Sequence, residues 1–397
     1  MRLTENEQEI LDGEQGEGKQ KAMEILVALG NIYQAKQLFP VKSVQVAGVS
    51  YSNLGDAGLE LIETWAEKGA KATVPSMLNP AGMDLEDYQK MGISQEFAEK
   101  QLRVIQAYKK IGIKPSCSCT PYLIGMKPEY GQHIAWSESS AVTYVNSVIG
   151  ARTNREGGPS ALAAAIIGKT PYYGFHLKEN RTPQITVKVT TDLENSSDFG
   201  AFGCALGKKL EGKVPLIKNI IHMTPQDMKS LSASIVTYGG PPLFHIDGLT
   251  PEQKKGIFKE PQEKIIIDEE ELKEAYDEIK DITDSIDLVF LGCPHCSLEE
   301  LKKIADLLKD KKVEKETWIA TARRTMKQAK RRGYIEPIEK SGAKITCDTC
   351  VAVAPLKGRF KSIATNSAKA CYYSKGSNQL KTHIGSTEEC IRIATGG

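Results

Sequence analysis

Residues 285–308 read SIDLVFLGCPHCSLEELKKIADLL and contain, in order, an apolar run, a short loop with two cysteines and an amphipathic run. The apolar run Ile286 to Leu291 predicts a buried strand. Ser297 and Glu300 stand three residues apart before the amphipathic run, which matches a capping box and predicts a helix. The segment therefore predicts a strand that ends in a cysteine loop and returns as a helix.

The same alternation of strand and helix patterns extends over most of the chain. The patterns predict strands at Val44–Gly48, Ala72–Val74, His133–Trp136, Gln184–Val189, Thr317–Ala320 and Ala343–Thr346, and helices over 56–68, 95–111, 137–149, from Ala161 to Gly168 and from Pro225. Repeated strand–helix alternation favours parallel sheets, with ligands at the carboxyl ends of the strands. We therefore expect an α/β fold with parallel or mixed sheets flanked by helices.

The length of 397 residues allows two or three domains. We expect a first α/β region over 1–150, a middle α/β region over 151–284 and a C-terminal α/β region over 285–397. The strongly charged stretch 251–284 predicts a solvated helical face or insertion within the middle region.

The composition excludes several classes of protein. The net charge of +2 gives no overall field that would favour nucleic acid or an anionic membrane. No apolar run reaches the roughly 20 residues that span a bilayer, and the acidic start of the chain lacks the pattern of a signal peptide. We expect a cytoplasmic protein in a compartment that keeps thiols reduced.

Nine cysteines then require an explanation other than disulfides. Six form close pairs, namely Cys117/Cys119, Cys293/Cys296 and Cys347/Cys350, and Cys204, Cys371 and Cys390 stand alone. Two of the pairs fall at the ends of predicted strands and the third follows a short extended segment. The single cysteines are interpreted as packing residues.

Three interpretations of the paired cysteines remain open at this point. Cys293-x-x-Cys296 followed by Cys347-x-x-Cys350 satisfies a four-thiolate zinc pattern, although a whole helix and strand separate the pairs. An iron–sulfur cluster takes its thiolates from separate loops, which suits the scattered pairs better. Several of the cysteines could also be inert core residues. His295 in the cysteine loop is a candidate donor to a ligand, or a structural histidine.

Two further motifs have a possible binding role. Gly157-Gly158-Pro159-Ser160 precedes a helix and could bind phosphate, but it lacks the Lys-Ser/Thr ending of a P-loop. A basic run on a predicted helix is interpreted as a solvated face or a subunit contact, because no aromatic platform accompanies it. Its members are Arg323, Arg324, Lys327, Lys330, Arg331 and Arg332.

Over nearly its whole length the chain resembles the aconitase X family. The motifs that carry this resemblance are Val46-Ala47-Gly48-Val49-Ser50, Leu78-Asn79-Pro80-Ala81-Gly82, Cys117-Ser118-Cys119-Thr120-Pro121-Tyr122, Trp136-Ser137-Glu138-Ser139-Ser140-Ala141, Thr153-Asn154-Arg155-Glu156-Gly157-Gly158, Gly292-Cys293-Pro294-His295-Cys296 and Thr365-Asn366-Ser367-Ala368-Lys369. The resemblance implies an aconitase-like multidomain architecture and a [4Fe–4S] cluster held by Cys119, Cys293 and Cys350. One iron would stay open toward the substrate and act as a Lewis acid. The positions that the resemblance assigns to substrate are Gly48, Val49, Ser50, Asn79, Pro80, Glu138, Ser139 and Lys369.

The activity that the resemblance implies is a dehydration. Archaeal members of the family convert (R)-5-phosphomevalonate to trans-anhydromevalonate 5-phosphate in a mevalonate (isoprenoid) route, and other members dehydrate cis-3-hydroxy-L-proline. Members with a chain this short pair with a small subunit, equivalent to the swivelling domain of aconitases, which carries a serine base. No catalytic residue is therefore assigned in this chain, and alone it should be nearly inactive. A zinc-stabilised binding protein without catalysis is the alternative from a different class.

The residues themselves are compatible with these roles, but each also has an ordinary one. Gly48 at a strand end would let a ligand approach bare backbone, or it forms a plain β–α turn. Glu138 and Ser139 would begin a helix, where a carboxylate and a hydroxyl are natural caps. Lys369 could pair with a carboxylate or phosphate, or lie in solvent.

Overall fold

A computed structural model describes residues 1–256, 258–283 and 285–397. No described helix has the length and apolar character needed to cross a membrane.

The helices account for most of the regular structure and lie on the faces of the sheets. They are α1 (Glu5–Leu11), α2 (Glu17–Ile32), α3 (Tyr51–Glu67), α4 (Gln95–Ile111), α5 (Ser139–Tyr144), α6 (Gly158–Ile167), α7 (Ser196–Lys209), α8 (Pro225–Thr237), α9 (Pro251–Lys254), α10 (Glu269–Ile279), α11 (Leu298–Leu308), α12 (Arg323–Arg331), α13 (Ile335–Lys340), α14 (Ala368–Gly376) and α15 (Thr387–Ala394). Helix α5 continues as a π-helical turn over Val145–Ile149.

The strands are short, as expected for parallel sheets covered by helices. They are β1 (Leu38–Pro40), β2 (Val44–Val46), β3 (Ser76–Leu78), β4 (Ala135–Trp136), β5 (Lys169–Pro171), β6 (Ile185–Val189), β7 (Pro215–Lys218), β8 (His245–Ile246), β9 (Lys264–Ile267), β10 (Leu288–Cys296), β11 (Glu316–Thr321), β12 (Lys344–Cys347), β13 (Ser362–Thr365) and β14 (Lys381–Ile384).

The strands form parallel sheets in the orders β3-β2-β4, β8-β7-β6-β9 and β12-β11-β10-β13-β14, and β1 pairs with β5 in a small antiparallel ribbon. The predicted α/β class with parallel sheets flanked by helices is confirmed. The parallel sheets fall within 44–136, 185–267 and 288–384, one in each of the regions expected from the sequence. The region boundaries stay a prediction, and the boundary residue Asp284 lies outside the described residues.

Several predicted elements are confirmed together with the physical signals that predicted them. Helix α4 spans 95–111 as predicted. At its start the Ser94 hydroxyl accepts a hydrogen bond from the Phe97 amide at 3.3 Å, and at its end Gly112 takes the left-handed conformation, with φ +95°, that terminates a helix. The capping box before α11 is present, because the Ser297 and Glu300 side chains each bond the other's backbone amide.

Several predictions differ from the structure. The cysteine loop expected after Leu291 is instead the bulged end of strand β10, which continues to Cys296. The strand expected at Ala72–Val74 begins later, at Ser76, because this stretch instead runs as irregular chain whose Thr73 amide donates to the carbonyl of Ala165 at 2.8 Å. The charged stretch 251–284 is helical at 251–254 and 269–279, but Lys264–Ile267 is strand β9 and pairs in parallel with β6. Residue Ile257 of this stretch lies outside the described residues, as does Asp284.

The third sheet separates two cores. Val289, Leu291 and Ile319 pack on one face under helices α11 and α15. Leu288, Phe290 and Trp318 pack on the other face, which is turned toward the first region. The residues up to Leu291 follow the period of two along a strand. A bulge between Leu291 and Cys296 breaks this alternation, so that Cys293 packs on the side of Phe290 and Cys296 on the side of Leu291.

Candidate active site at the cysteine loops

The candidate site lies where the carboxyl ends of two sheets face each other. In the first sheet, β2, β3 and β4 are followed by the loops that carry Gly48, Asn79 and Glu138, respectively. In the third sheet, β10 carries Cys293 near its end, and β12 and β13 are followed by Cys350 and Lys369. The two edges touch directly, since the Ala81 amide donates to the carbonyl of Asp348 at 2.7 Å. This is the ligand-binding edge of a parallel α/β sheet.

Each cysteine pair is divided between a hydrophobic core and the site. Cys117 packs in the core of the first region, and Cys296 and Cys347 pack on the α11 side of the third sheet. Cys293 and Cys350 pack on the opposite side of that sheet, Cys293 within the bulged end of β10 and Cys350 in the loop after β12. The single cysteines Cys204, Cys371 and Cys390 are all core residues, as predicted.

This division does not form the four-thiolate arrangement that zinc would need, because each CxxC pair is split across the sheet. Within the described ranges, no group of three or more His, Cys, Asp or Glu side chains is arranged to hold a single metal ion. All nine thiols are free and buried.

The remaining cysteines, Cys119, Cys293 and Cys350, converge at the site. Burial raises the pKa of the Cys119 thiol to about 12 and also raises the pKa of Cys293. Burial raises the pKa of Cys350 well above its usual value, and the neighbouring Cys293 and Cys119 sulfurs raise it further. The His295 amide, two residues after Cys293, donates to the Cys119 sulfur, and Cys293 and Cys350 pack in the same cluster. Three buried thiols from parts of the chain far apart in sequence therefore meet in one region.

His295 ties the three cysteine loops together. Its backbone amide donates to the Cys119 sulfur at 3.2 Å, and its Nδ1 lies 3.2 Å from the Ser118 hydroxyl. Its Nε2 lies 2.8 Å from the carbonyl oxygen of Thr349, to which it donates. Burial lowers the pKa of this imidazole to about 4, so it is neutral and carries its proton on Nε2 to satisfy that carbonyl.

Two buried polar side chains from other elements support the same loops. Lys229 of α8 donates its ammonium to the carbonyl of His295 at 3.0 Å and also pairs with Glu300. Gln45 of β2 donates its amide to the carbonyl of Ser118 at 2.9 Å. The cysteine loops are thus held by groups from the first and the middle regions.

A buried ion pair faces the cysteines. The carboxylate of Glu138 pairs with the ammonium of Lys369 and accepts hydrogen bonds from Asn79 at 2.7 Å and the Ser140 hydroxyl at 3.0 Å. Burial opposes its ionisation, but Lys369 and these donors outweigh burial and hold the pKa of Glu138 at about 2. Burial likewise opposes the charge of Lys369, yet Glu138 keeps its pKa above the usual value.

The pair is therefore Glu⁻ and Lys⁺ at neutral pH, with Ser139 Oγ 3.2 Å from the ammonium. The helix start expected at Glu138 and Ser139 is confirmed, with the Glu138 carboxylate, not the Ser139 hydroxyl, as the cap of α5. Lys369 lies in the first turn of α14 and is only 6% exposed, so it pairs with a carboxylate and does not lie in solvent.

The glycine turn after β2 offers backbone donors beside this pair. Gly48 has φ +74°, a conformation that favours glycine, and a Cβ added there would meet open space. Among the described residues the amides of Gly48, Val49 and Ser50 have no protein acceptor. The Ser50 hydroxyl, in contrast, donates to the carbonyl of Val353 at 2.9 Å and is occupied within the chain.

Asn79 contributes an unpaired acceptor. Its amide nitrogen donates to Glu138, while its Oδ1 is buried with no protein partner in the part of the chain described. A buried acceptor without a partner is costly, so this oxygen is suited to a ligand hydroxyl. Pro80, the next residue, is buried and turns the chain toward the third sheet.

Several residues that shape the site are not predicted by any motif of the sequence. Gln101 bridges the turn, with its amide nitrogen donating to the Val49 carbonyl and its Oε1 accepting from the Tyr51 and Gly82 amides at 3.0 and 2.9 Å. Gln101 and Gln45 are polar residues at buried positions of apolar segments, and this is the one signal in the sequence that could have pointed to them. Nothing local distinguishes Lys229 from a solvated helical lysine.

A protein with three parallel sheets, buried cysteines converging between facing strand ends and an ionised Glu–Lys pair beside them has the organisation of an aconitase-like protein. Models of the first, second and third domains of aconitase X match residues 1–179, 183–277 and 286–396. The chain belongs to the aconitase X family, which confirms the resemblance noted in the sequence.

Individual relatives agree with this assignment. The chain is 50% identical to the phosphomevalonate dehydratase large subunit of Methanosarcina mazei, covering 100% of this chain and 98% of that protein. It superposes with a TM-score of 0.93 and 44% identity on the crystal structure of Thermococcus kodakaraensis aconitase X in its holo-form, over 99% of this chain and 100% of that one. Cis-3-hydroxy-L-proline dehydratase of Hypocrea jecorina is more distant, at 30% identity over 100% of this chain and 69% of that protein.

Proposed function

We propose that this chain is the large subunit of a phosphomevalonate dehydratase, a hydro-lyase that converts (R)-5-phosphomevalonate to trans-anhydromevalonate 5-phosphate. The observation that carries the proposal is the convergence of three buried thiols, from loops far apart in sequence, beside an ionised Glu–Lys pair. The 50% identity to a relative of that name over the full length of both proteins supports the substrate.

The proposed cofactor is a [4Fe–4S] cluster, and the donor set suits it. Cys119, Cys293 and Cys350 would hold the cluster, since their thiols are buried and no disulfide removes them. A cluster with three protein ligands supplies one open iron that acts as a Lewis acid toward a hydroxyl group. The neighbouring backbone donor His295 N–H and the buried Lys229 would stabilise the negative charge of the thiolates.

The chain's own residues would bind and orient the substrate. Lys369 carries a buried positive charge that suits a carboxylate or phosphate, and Ser139 adds a hydroxyl beside it. The unpaired amides of the Gly48 turn suit an anionic oxygen, and Asn79 Oδ1 suits the donor hydroxyl at C3. Glu138 keeps Lys369 charged and fixes its position.

Proton removal from C2 requires a base, and Glu138, the carboxylate described at the site, is not suited to that role. Among the described residues at the site, Glu138 is committed to its ion pair, and a carboxylate whose pKa is about 2 is a weak base. We therefore propose that a small subunit supplies the base, in line with the words "large subunit" in the relatives' names. A reducing, cytoplasmic location is part of the same proposal and agrees with nine free thiols.

The second candidate substrate is cis-3-hydroxy-L-proline, which the more distant relatives are named for. That imino acid carries no phosphate, whereas the proposed site combines a buried lysine with several unpaired amides. The higher identity to the phosphomevalonate enzymes favours the phosphorylated substrate.

The test starts from anaerobically purified chain reconstituted with iron and sulfide. We expect about four irons and four sulfides per chain, and turnover of (R)-5-phosphomevalonate only after the small subunit is added. Cys119→Ala, Cys293→Ala and Cys350→Ala should each lose most of the iron, whereas Cys204→Ala and Cys296→Ala, which remove core cysteines, should retain it.

The outcomes separate the parts of the proposal. Full iron in the first three variants would contradict the ligand assignment. One zinc without sulfide would contradict the cofactor. Turnover of cis-3-hydroxy-L-proline in place of phosphomevalonate, by a fully loaded enzyme, would contradict the substrate alone.

A further inference from the structure

A second cavity lies behind the cysteine loops, between helix α4, the segment 114–116 and helix α12. Its volume is about 600 Å³. None of the cysteines, nor Glu138 or Lys369, is among the described residues that line it. It is therefore separate from the candidate active site and requires its own explanation.

The cavity gathers positive charge from separate parts of the chain. The cationic residues that line it are Lys109, Lys114, Arg323, Arg324, Lys327 and Arg331. Since they come from two helices and a connecting segment, they are brought together by tertiary structure and not by the spacing of a single helical face. Like charges held around one cavity repel each other unless anions offset them.

The protein itself offsets only part of this charge. The acidic lining residues Glu86 and Asp348 both pair with Arg323, at 2.7 Å to Nη1 and 2.9 Å to Nε respectively. Arg324 donates to the carbonyl of Ile124 at 2.7 Å. Lys109, Lys114, Lys327 and Arg331 have no carboxylate within ion-pair distance anywhere in the described ranges.

The rest of the lining indicates what kind of anion would fit. Met77, Ile105 and Ile124 give the cavity an apolar side. The Ser116 hydroxyl, which also lines the cavity, is a buried oxygen with no protein partner in the described structure. Cations, one free hydroxyl and an apolar wall together suit an organic phosphate or diphosphate with an apolar chain.

We propose that this cavity is a binding site for an organic phosphate or diphosphate, distinct from the active site. The site is joined to two cysteine loops, because Ser116 is followed directly by Cys117 and Asp348 lies two residues before Cys350. A phosphate bound to Arg323 would compete with Asp348 for its guanidinium. Occupancy of the cavity would thereby act on the loops that carry Cys119 and Cys350.

The experiment measures binding of inorganic phosphate, pyrophosphate and n-octyl phosphate to the full chain by calorimetry. We expect saturable binding, with n-octyl phosphate bound more tightly than inorganic phosphate because its chain contacts the apolar wall. The Lys327→Gln/Arg331→Gln variant should bind pyrophosphate about tenfold or more weakly, since two charge-assisted contacts are lost. The matched control, Lys330→Gln/Arg332→Gln, removes the same charge from the same helix end, outside the cavity, and should bind as the wild type does.

Several results would overturn the proposal. Equal weakening in both double variants would mean that pyrophosphate responds only to general surface charge. Loss of binding in Lys369→Met would locate the ligand in the active site. Absence of pyrophosphate binding, together with loss of small-subunit association in the Lys327→Gln/Arg331→Gln variant, would make this face a subunit contact.

Discussion

Replacing Lys369 with methionine would leave the carboxylate of Glu138 buried without its cation. The pKa of Glu138 is about 2, against a usual 4.5, in spite of a burial that opposes ionisation. At about 1.4 kcal/mol per pKa unit, this difference corresponds to roughly 3 kcal/mol of folding free energy at neutral pH. Breaking a buried ion pair by removing one partner typically costs about 3–5 kcal/mol, so both routes give the same magnitude.

The cost should depend on pH in a defined direction. In the wild type the folded-state pKa is depressed, so the stability from Glu138 is complete above pH 4.5 and is lost as the pH falls toward 2. Without Lys369, burial raises the pKa of Glu138 above its unfolded value, and protonation then relieves the unpaired charge. The difference in unfolding free energy between the two proteins should therefore narrow as the pH is lowered from 7 to about 4.5.

Urea unfolding of the cluster-free chain, followed by tryptophan fluorescence at pH 7 and pH 5, measures this difference. Trp136 is buried two residues before Glu138 and reports on this region. The matched control is Lys375→Met on the same helix, whose partly exposed pair with Asp281 should contribute no more than about 1 kcal/mol. Equal costs for the two lysine variants, or a Lys369→Met cost that is the same at both pH values, would refute the reasoning.

A Glu138→Gln/Lys369→Met double variant tests the cause of the loss. It removes both charges and should recover much of the stability that Lys369→Met loses, because no unpaired charge is then buried. A double variant as unstable as the sum of the two single variants would mean that the groups act independently.

Two other substitutions test how the cysteine loops are held. His295→Ala removes both side-chain contacts between the loops and should lower the free energy of unfolding by about 2–4 kcal/mol. In the reconstituted protein it should also speed the loss of iron to a chelator, followed by absorbance, relative to an alanine substitution at the exposed His222. An unchanged rate of iron loss would refute the role of His295 in holding the loops together. Gly292→Ala places a Cβ against the Ala320 carbonyl oxygen, at a residue with φ +111°, so we expect a large fall in melting temperature. The control Gly212→Ala has φ +81° but open space around the added Cβ and should fall much less; similar melting temperatures would show that the close approach is unimportant.

The local elements were largely predictable because their signals are local. Helix α4 was predicted over its full length, since its apolar period, its serine cap and its terminal glycine lie in one window. The capping box at Ser297 and the first part of strand β10 were predictable for the same reason, whereas the continuation of β10 through its bulge to Cys296 was not. Strand β9 was missed because a short β-branched run, Lys264–Ile267, lies within strongly charged sequence and is stabilised by pairing with a strand about eighty residues earlier.

The sequence by itself determined the α/β class, the family, and the fact that the paired cysteines end strands or loops where parallel sheets bind ligands. The tertiary structure decided which cysteine of each pair faces the site. Nothing in the sequence distinguishes Cys293 from Cys296 as a ligand, and Cys293 faces the site only because it lies on the side of the sheet that meets the first region. It also decided the protonation state of Glu138, because the cation that sets it, Lys369, lies 231 residues away. Contacts of that kind depend on how sheets face each other, and no local pattern of residues encodes them.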